Sequence, residues 1–384
     1  MILDPIDGDG VRLRRWHPDD IDDLVAGYSD PLTRRFMSAL PVPFTRRHGE
    51  WYVNEAAPAI IAGGGAAYAV TDPLTGRVIG GAGLERVVPP RQQAELGYWV
   101  APGARRRGVA TAAVRALCAY AHQTGITRLE LLTHGENAAS QRVAMAAGFA
   151  REGIRRGAVA NREGARDDLL VFARLAGDPL APVPRLLPDL PGGELTDGVV
   201  TLRPLAPDDV DFCVELQSLP EVIATSVPPV RPDPAEVARR CSWAAARWLA
   251  GERADLVITD TASGTRAGSI GLFYQEPPTA QAMIGYSMLP AWRGRGFATR
   301  AAQLVALWAF AETSIARLIA GALPENVGSQ RVLEKAGFKR EAYLRSRLPG
   351  VDGHRIDDVQ FALLADDVLA DLASGRTGQA GRPD

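Results

Sequence analysis

Apolar and polar residues alternate at Val11-Arg12-Leu13-Arg14 and again at Val200-Thr201-Leu202-Arg203. Each alternation runs into a proline and acid stretch, Pro18-Asp19-Asp20-Ile21 and Pro207-Asp208-Asp209-Val210. A two-residue period is that of a half-buried strand, and proline with carboxylates suits the first turn of a helix, where the dipole favours negative charge. Further strands are expected near Ala66 to Asp72, Arg77 to Val87 and Ala94 to Val100, with Thr71-Asp72-Pro73-Leu74-Thr75-Gly76 as a turn. The second set falls near Ala254 to Thr259, Arg266 to Gln275 and Ala282 to Leu289. Apolar residues then recur at three and four, as in Val109, Ala113, Ala116, Leu117 and Tyr120, which predicts long helices over about Gly108 to Gln123 and Gly296 to Glu312. Leu129-Glu130-Leu131-Leu132 and Leu318-Ile319-Ala320-Gly321 read as buried strands. Each half thus predicts a strand, one or two helices, three strands, a long helix, a strand, a helix and a final strand pair. The expected class is α/β with a mixed sheet, in two tandem domains.

Between the halves, Gly177 to Gly193 reads GDPLAPVPRLLPDLPGG, with no period that a helix or strand could use. Residues 177–196 are expected to form a stiff, exposed linker between domains at 1–176 and 197–373, and 374–384 a disordered tail. A length of 384 residues suffices for two full cores. The formal net charge of -2 provides no field for a polyanion, which argues against nucleic acid as a partner. Lys335 and Lys339 are the only lysines among 43 basic residues, a bias toward arginine that implies little about function. Cys118, Cys213 and Cys241 have no metal-ligand spacing and cannot all pair, so a reducing cytoplasm and no metal are expected. The first ten residues lack a signal pattern, and no uncharged apolar run has the length of a bilayer span, so no membrane partner is expected.

One block occurs twice. Arg105-Arg106-Arg107-Gly108-Val109-Ala110-Thr111 recurs as Arg293-Gly294-Arg295-Gly296-Phe297-Ala298-Thr299, each after a Gly-Tyr strand and each before Glu-Asn, Ser-Gln-Arg-Val and Ala-Gly-Phe. The spacing from Gly108 to Gly296 is one residue shorter than that from Asn137 to Asn326, so the block is an internal duplication with a single slip. A strand that ends in a basic, glycine-bearing turn and enters a helix directs several free N–H groups at one anion, which describes a pyrophosphate cradle. Gly108 and Gly296 allow close approach, Ala110 and Ala298 leave room, and Arg105, Arg107, Arg293 and Arg295 supply charge. No Gly-Lys-Ser/Thr follows, which excludes a P-loop, and the dinucleotide fingerprint is absent.

These residues resemble the GNAT-superfamily acetyltransferases, in the branch similar to the ribosomal-protein N-terminal acetyltransferases of Rim type. The likeness covers the chain outside the linker and tail. The family's Arg/Gln-x-x-Gly-x-Gly/Ala falls on Arg105 to Ala110 and Arg293 to Ala298. Its Asn-x-x-Ser before Ala-Gly-Phe falls on Asn137, Ser140 and Ala147-Gly148-Phe149, and on Asn326, Ser329 and Ala336-Gly337-Phe338. The resemblance implies a central splayed sheet flanked by helices in each half, and acetyl-CoA as the donor. It implies that the strand ending at Trp99-Val100, or at Ser287-Met288, bonds the pantetheine arm through its backbone, and that Asn137 and Asn326 bond the same arm.

An amine attacks a thioester only when unprotonated, which calls for a base. Glu95 is the candidate in the first copy, set against an exposed strand carboxylate. Met283 stands at the aligned position of the second, which leaves that site without a base there or shifts it to another residue such as Glu276. Ser140 and Ser329 are candidate acids for the departing thiolate by the same resemblance, set against helix caps. Tyr98 and Tyr286 read as strand core, and Trp99 and Trp292 as cleft walls or buried aromatics. Arg34, Arg35, Arg46 and Arg47 around Leu40 to Phe44 would repel a polycation and suit an acceptor with a carboxylate or a peptide. The second copy is mixed, with Glu221, Asp233 and Glu236 beside Arg231, Arg239 and Arg240. The expectation is an N-acetyltransferase for a small-molecule or peptide amine, acting as a monomer or homodimer. A non-catalytic acyl-CoA sensor, or catalysis by one half alone, remains the alternative.

Overall fold

The computed structural model describes residues 4–350 and 353–368, so the expected tail at 374–384 lies outside the described residues. Two compact units divide the chain, Met1–Pro184 and Arg185–Asp384. In the first, β1 (Ile6–Gly8) and β2 (Val11–Arg14) precede α1 (Ile21–Ser29), α2 (Pro31–Phe36), α3 (Arg46–Trp51) and α4 (Ala57–Ala62). A π-helical stretch, Tyr52–Ala56, joins the last two. Then come β3 (Ala66–Thr71), β4 (Val78–Val88), β5 (Gln93–Val100), α5 (Val109–Gln123), β6 (Arg128–His134), α6 (Ala138–Ala146), β7 (Ala150–Ala160) and β8 (Arg166–Leu175). The eight strands lie in the order β1-β2-β3-β4-β5-β6-β8-β7, and every described pairing is antiparallel except β5 with β6. That parallel pair needs a crossover, which α5 provides.

Both faces of this sheet are covered, which is why β3 is buried at every position. Tyr68 meets Tyr120 of α5 edge to face on one side. On the other, Ala69, Val78 and Trp99 pack with Ile21, Leu24, Tyr28, Phe44 and Val53. Burial of each such large side chain contributes about 1.5–3 kcal/mol. Trp99, 6% exposed against Gly27 and Gly81, is therefore a core residue and not a cleft wall.

The second unit repeats the plan with β9 (Leu195–Thr196), β10 (Val200–Pro204), α7 (Val210–Gln217), α8 (Pro220–Thr225), α9 (Pro234–Leu249), β11 (Arg253–Asp260), β12 (Arg266–Glu276), β13 (Gln281–Met288), α10 (Phe297–Glu312), β14 (Arg317–Ala322), α11 (Val327–Lys335), β15 (Lys339–Pro349) and β16 (Arg355–Leu364). Its sheet runs β15-β16-β14-β13-β12-β11-β10-β9, with β13 and β14 the parallel pair.

Two expectations need correcting. The stretch 177–196 is not exposed throughout: Leu187 and Leu190 are buried in the second core, the Trp248 indole N–H donates to Pro188 O, and β9 is a strand of the second sheet. Apolar leucines between the prolines find a core to fill, and composition alone did not reveal it. Each half also begins with a two-stranded hairpin where one strand was expected. Among the described residues no helix is long and apolar enough to cross a membrane, and no group of three His, Cys, Asp or Glu side chains is placed to hold a metal.

Candidate functional site

β5 and β6 pair only at Gln93 with Arg128, Ala94 with Leu129 and Glu95 with Glu130. Beyond Glu95 the strands part, while β6 stays paired with β8 as far as His134. The same happens after Met283, where β13 leaves β14. Ala101 N–H bonds Ile79 O, so by the alternation of an antiparallel ladder Trp99 bonds β4, whereas Leu96, Tyr98 and Val100 direct their backbone groups into the gap. Leu289 N–H bonds Ala267 O, which puts Ser287 on β12 and Ile284, Tyr286 and Met288 at the gap. Of the two strand-end pairs singled out in the sequence, Val100 and Met288 keep their N–H groups at the gap while their carbonyls accept from Arg105 and Arg293, and Trp99 and Ser287 are consumed by the sheet.

The repeated turns stand at the end of this gap. Gly108 and Gly296 each have φ +80° and directly precede α5 and α10, which have no side-chain cap. The first intrahelical bonds are Ala112 N–H to Gly108 O and Arg300 N–H to Gly296 O. The N–H groups of Val109, Ala110 and Thr111, and of Phe297, Ala298 and Thr299, therefore have no acceptor within their helices. Val109, Phe297 and Ala298 bury their side chains, so only their backbones face the mouth. Two residues earlier the chain is again left-handed, at Gly294 (φ +71°) in one copy but at Arg106 (φ +61°) in the other.

The arginines divide into two kinds. Arg105 donates to Val100 O at 3.2 Å and to Thr33 Oγ1 at 3.2 Å, and pairs with Asp30, the N-cap of α2. Burial raises the Asp30 carboxyl, but Arg105 and the Thr33 N–H outweigh it and hold the pKa below its ordinary value. Arg293 likewise bonds Met288 O at 3.1 Å and Glu221 of α8 at 2.7 Å. These two guanidiniums tie the strand end to a helix and are not free charges for an anion. Arg106 and Arg107 are exposed, and Arg295 lies over the Trp292 ring at 4.3 Å.

Across the gap, the Tyr98 hydroxyl donates to Ser140 Oγ at 3.0 Å, and Tyr286 meets Ser329 Oγ at 2.9 Å. Burial pushes both phenols up to about 12, against the lowering effect of the serine. Asn137 Oδ1 accepts from Ser140 N at 3.1 Å, and Asn326 does the same for Ser329, so each asparagine is a helix cap. Gln141 and Gln330 hold the preceding loops by donating to Gly135 O and Pro324 O, each at 2.8 Å. The sequence reading gave both tyrosines to the strand core, and the structure sets their hydroxyls against the serines. The Gly-Tyr step before both turns was their signal.

Glu95 sits where the strands part and accepts from Arg86 at 2.8 Å. Burial raises its carboxyl above the ordinary value while Arg86 works against the rise. In the second unit Glu276 lies on the exposed β12–β13 turn and accepts from Thr279 and Gln281, away from the gap. There the gap opens into a cavity of about 700 Å³ whose walls include Met283, Tyr286, Asn326 and Ser329. Of the first-unit arginines near Phe44, Arg35 pairs with Glu136, and Arg46 with Asp22 and Glu50.

A sheet that parts beside an uncapped helix mouth, built twice, matches the model of the acetyltransferase (GNAT) domain over residues 11–150 and 200–339. The chain belongs to that family. It is 40% identical over 109 residues to YjcK of Bacillus subtilis strain 168, a probable N-acetyltransferase, and 36% identical over 66 residues to YnaD of the same organism, an uncharacterized N-acetyltransferase. Those matches cover 28% and 17% of this chain, and only 60% and 39% of YjcK and YnaD. Among solved structures, Mycobacterium smegmatis RimJ in complex with CoA-disulfide is 26% identical, covering 48% of this chain and 94% of that one, with a TM-score of 0.41.

Proposed function

We propose that the protein is an N-acetyltransferase that moves the acetyl group of acetyl-CoA to a primary amine, a peptide N-terminus or a small amine metabolite. One observation carries the reading: in both units the parallel strand pair separates at an uncapped, glycine-led helix mouth. The N–H groups of 109–111 and 297–299 suit a pyrophosphate, with Arg106, Arg107 and Arg295 adding charge. The gap-facing backbone of Tyr98 with the Val100 N–H, and of Tyr286 with the Met288 N–H, suits an amide-bearing arm, which Asn137 and Asn326 can also meet.

In the first unit Glu95 takes the proton of the acceptor amine. As the new C–N bond forms and the C–S bond breaks, the thiolate receives a proton from the Tyr98 hydroxyl, which Ser140 holds in place. A phenol with a pKa near 12 stays protonated at neutral pH and can donate to a thiolate whose thiol has a pKa near 8.5. The test is release of CoA from acetyl-CoA with a panel of amines and N-terminal peptides. Turnover with at least one acceptor, reduced in Glu95→Gln and Tyr98→Phe, is expected. Tight acetyl-CoA binding with no transfer to any acceptor would make the protein a sensor instead.

A further inference from the structure

The second unit has Met283 where the first has Glu95, yet its cleft holds two carboxylates that the first lacks. Asp255 on β11 and Asp358 on β16 line the 700 Å³ cavity, 7% and 1% exposed. Asp255 Oδ1 accepts from Arg253 Nε at 2.7 Å, and Asp358 Oδ2 pairs with Arg347. The other oxygens, Asp255 Oδ2 and Asp358 Oδ1, are buried and receive no hydrogen bond from the protein. A buried acceptor of this kind is costly unless something satisfies it. Arg240 of α9 adds the opposite polarity to the cavity, an Nε–H buried without an acceptor.

Register connects Asp255 to the gap. It stands opposite Gly271 on β12, which stands opposite Gly285 on β13, two residues beyond the point where β13 leaves β14. The Phe273 ring, with the Arg253 guanidinium 4.0 Å from its centroid, lies over both glycines, and Asp255 meets the gap through the cavity whose wall it shares with Gly285 and Tyr286. A Cβ at Gly271 would come within 3.2 Å of Phe273 Cε2, 3.3 Å of Asp255 Oδ1 and 3.5 Å of Arg253 Nη2. The first unit has the same row, Gly83 and Gly97, but with Ala67 in place of the aspartate. One copy thus has its carboxylate on the central strand, and the other has it two strands away on the wall of the cavity.

We propose that the second cleft receives its acceptor as a primary ammonium on Asp255, with Arg240 facing a carbonyl or carboxylate oxygen of the same molecule. The acceptor class is therefore an amino-acid derivative or a peptide N-terminus. This rests on the acetyl-transfer reading above. Asp255 takes one proton from the ammonium, the neutral nitrogen bonds the acetyl carbon as the C–S bond breaks, and Tyr286 protonates the thiolate. Tyr286 is restored by the second proton leaving nitrogen, and Asp255 releases its own to water.

The experiment uses the full chain with Gly108→Val in its first unit, L-alaninamide as the amine and lactamide, which has a hydroxyl in place of the ammonium, as the control. Calorimetry should detect binding of alaninamide and none of lactamide. Asp255→Asn should weaken alaninamide binding at least tenfold and lower kcat/KM about 100-fold. Asp255→Ala, which installs the residue that the first copy has at this position, should do the same while melting as a folded protein. An unchanged KM and kcat/KM, no binding of alaninamide, or a loss that appears in Asp358→Asn but not in Asp255→Asn would overturn the assignment. Alaninamide held through Asp255 with no acetyl transfer would overturn the transferase reading and leave the binding site standing.

Discussion

Gly296→Ala separates the requirement of the backbone from that of the ligand. Gly296 is at φ +80°, and no non-neighbouring atom lies within 4 Å of where a Cβ would stand. The cost to the fold is therefore that of holding an L-residue in the left-handed region, about 1–2 kcal/mol. For a unit of this size each kcal/mol lowers Tm by about 2–4 °C, so its transition should fall by about 2–8 °C. Gly264, at φ +69° with equally open space, lies on the turn between β11 and β12, and Gly264→Ala should have the same thermal cost. Binding should differ. A methyl at the helix mouth hinders the N–H groups of Phe297 to Thr299, and one lost hydrogen bond to a charged phosphate is worth about 1.5–3 kcal/mol, or about 10- to 100-fold in Kd. Titration calorimetry with CoA should find two tight sites per chain in the wild type and in Gly264→Ala, and one tight and one weakened site in Gly296→Ala. If both variants melt alike and bind CoA alike, the helix mouth is not the phosphate site.

Four further outcomes are expected. Tyr98→Phe should lower first-site kcat about 100-fold or more without changing CoA affinity much, read by stopped assays with saturating donor. Because both phenols titrate near 12, no alkaline loss of activity below about pH 11 should arise from them. Glu95 must be deprotonated to act, and its pKa is raised, so first-site activity should fall as pH drops through a value above the usual carboxylate range; Arg86→Ala, which removes the opposing charge, should move that acid limb further up. Asp209 is fully buried between Arg203 at 2.7 Å and Arg266 at 2.9 Å, so Asp209→Asn should cost about 3–5 kcal/mol in urea unfolding. Burial raises its carboxyl, but Arg203 and the Ala206 N–H outweigh that and leave the pKa lowered. The Asp209 contribution should therefore be full above the unfolded pKa near 3.9 and lost as pH falls through the depressed folded value.

Local patterns were legible because their physics is local. The two-residue alternation at Val11 to Arg14 became β2, the three-and-four spacing after Gly108 became α5, and the positive φ at Gly108 and Gly296 is a property that glycine at a helix start already announces. The duplication itself needed only comparison of the chain with itself. What required assembly depends on residues far apart in sequence. Arg105 looked like a free phosphate ligand, yet the fold brings Asp30 to it from the other end of the first unit. Leu187 and Leu190 looked like linker residues until a core was present to receive them.

By itself the sequence determined two tandem α/β domains, two glycine-led turns and the family's Asn-x-x-Ser pairs. Periodicity and turn chemistry act over a few residues, and a repeated block keeps them in order. The tertiary structure decided where β5 leaves β6, that Tyr98 reaches Ser140 over 42 residues of chain, and that Asp255 lines the second cleft. Those contacts are set by strand register, and register is fixed only when the whole sheet closes on its core.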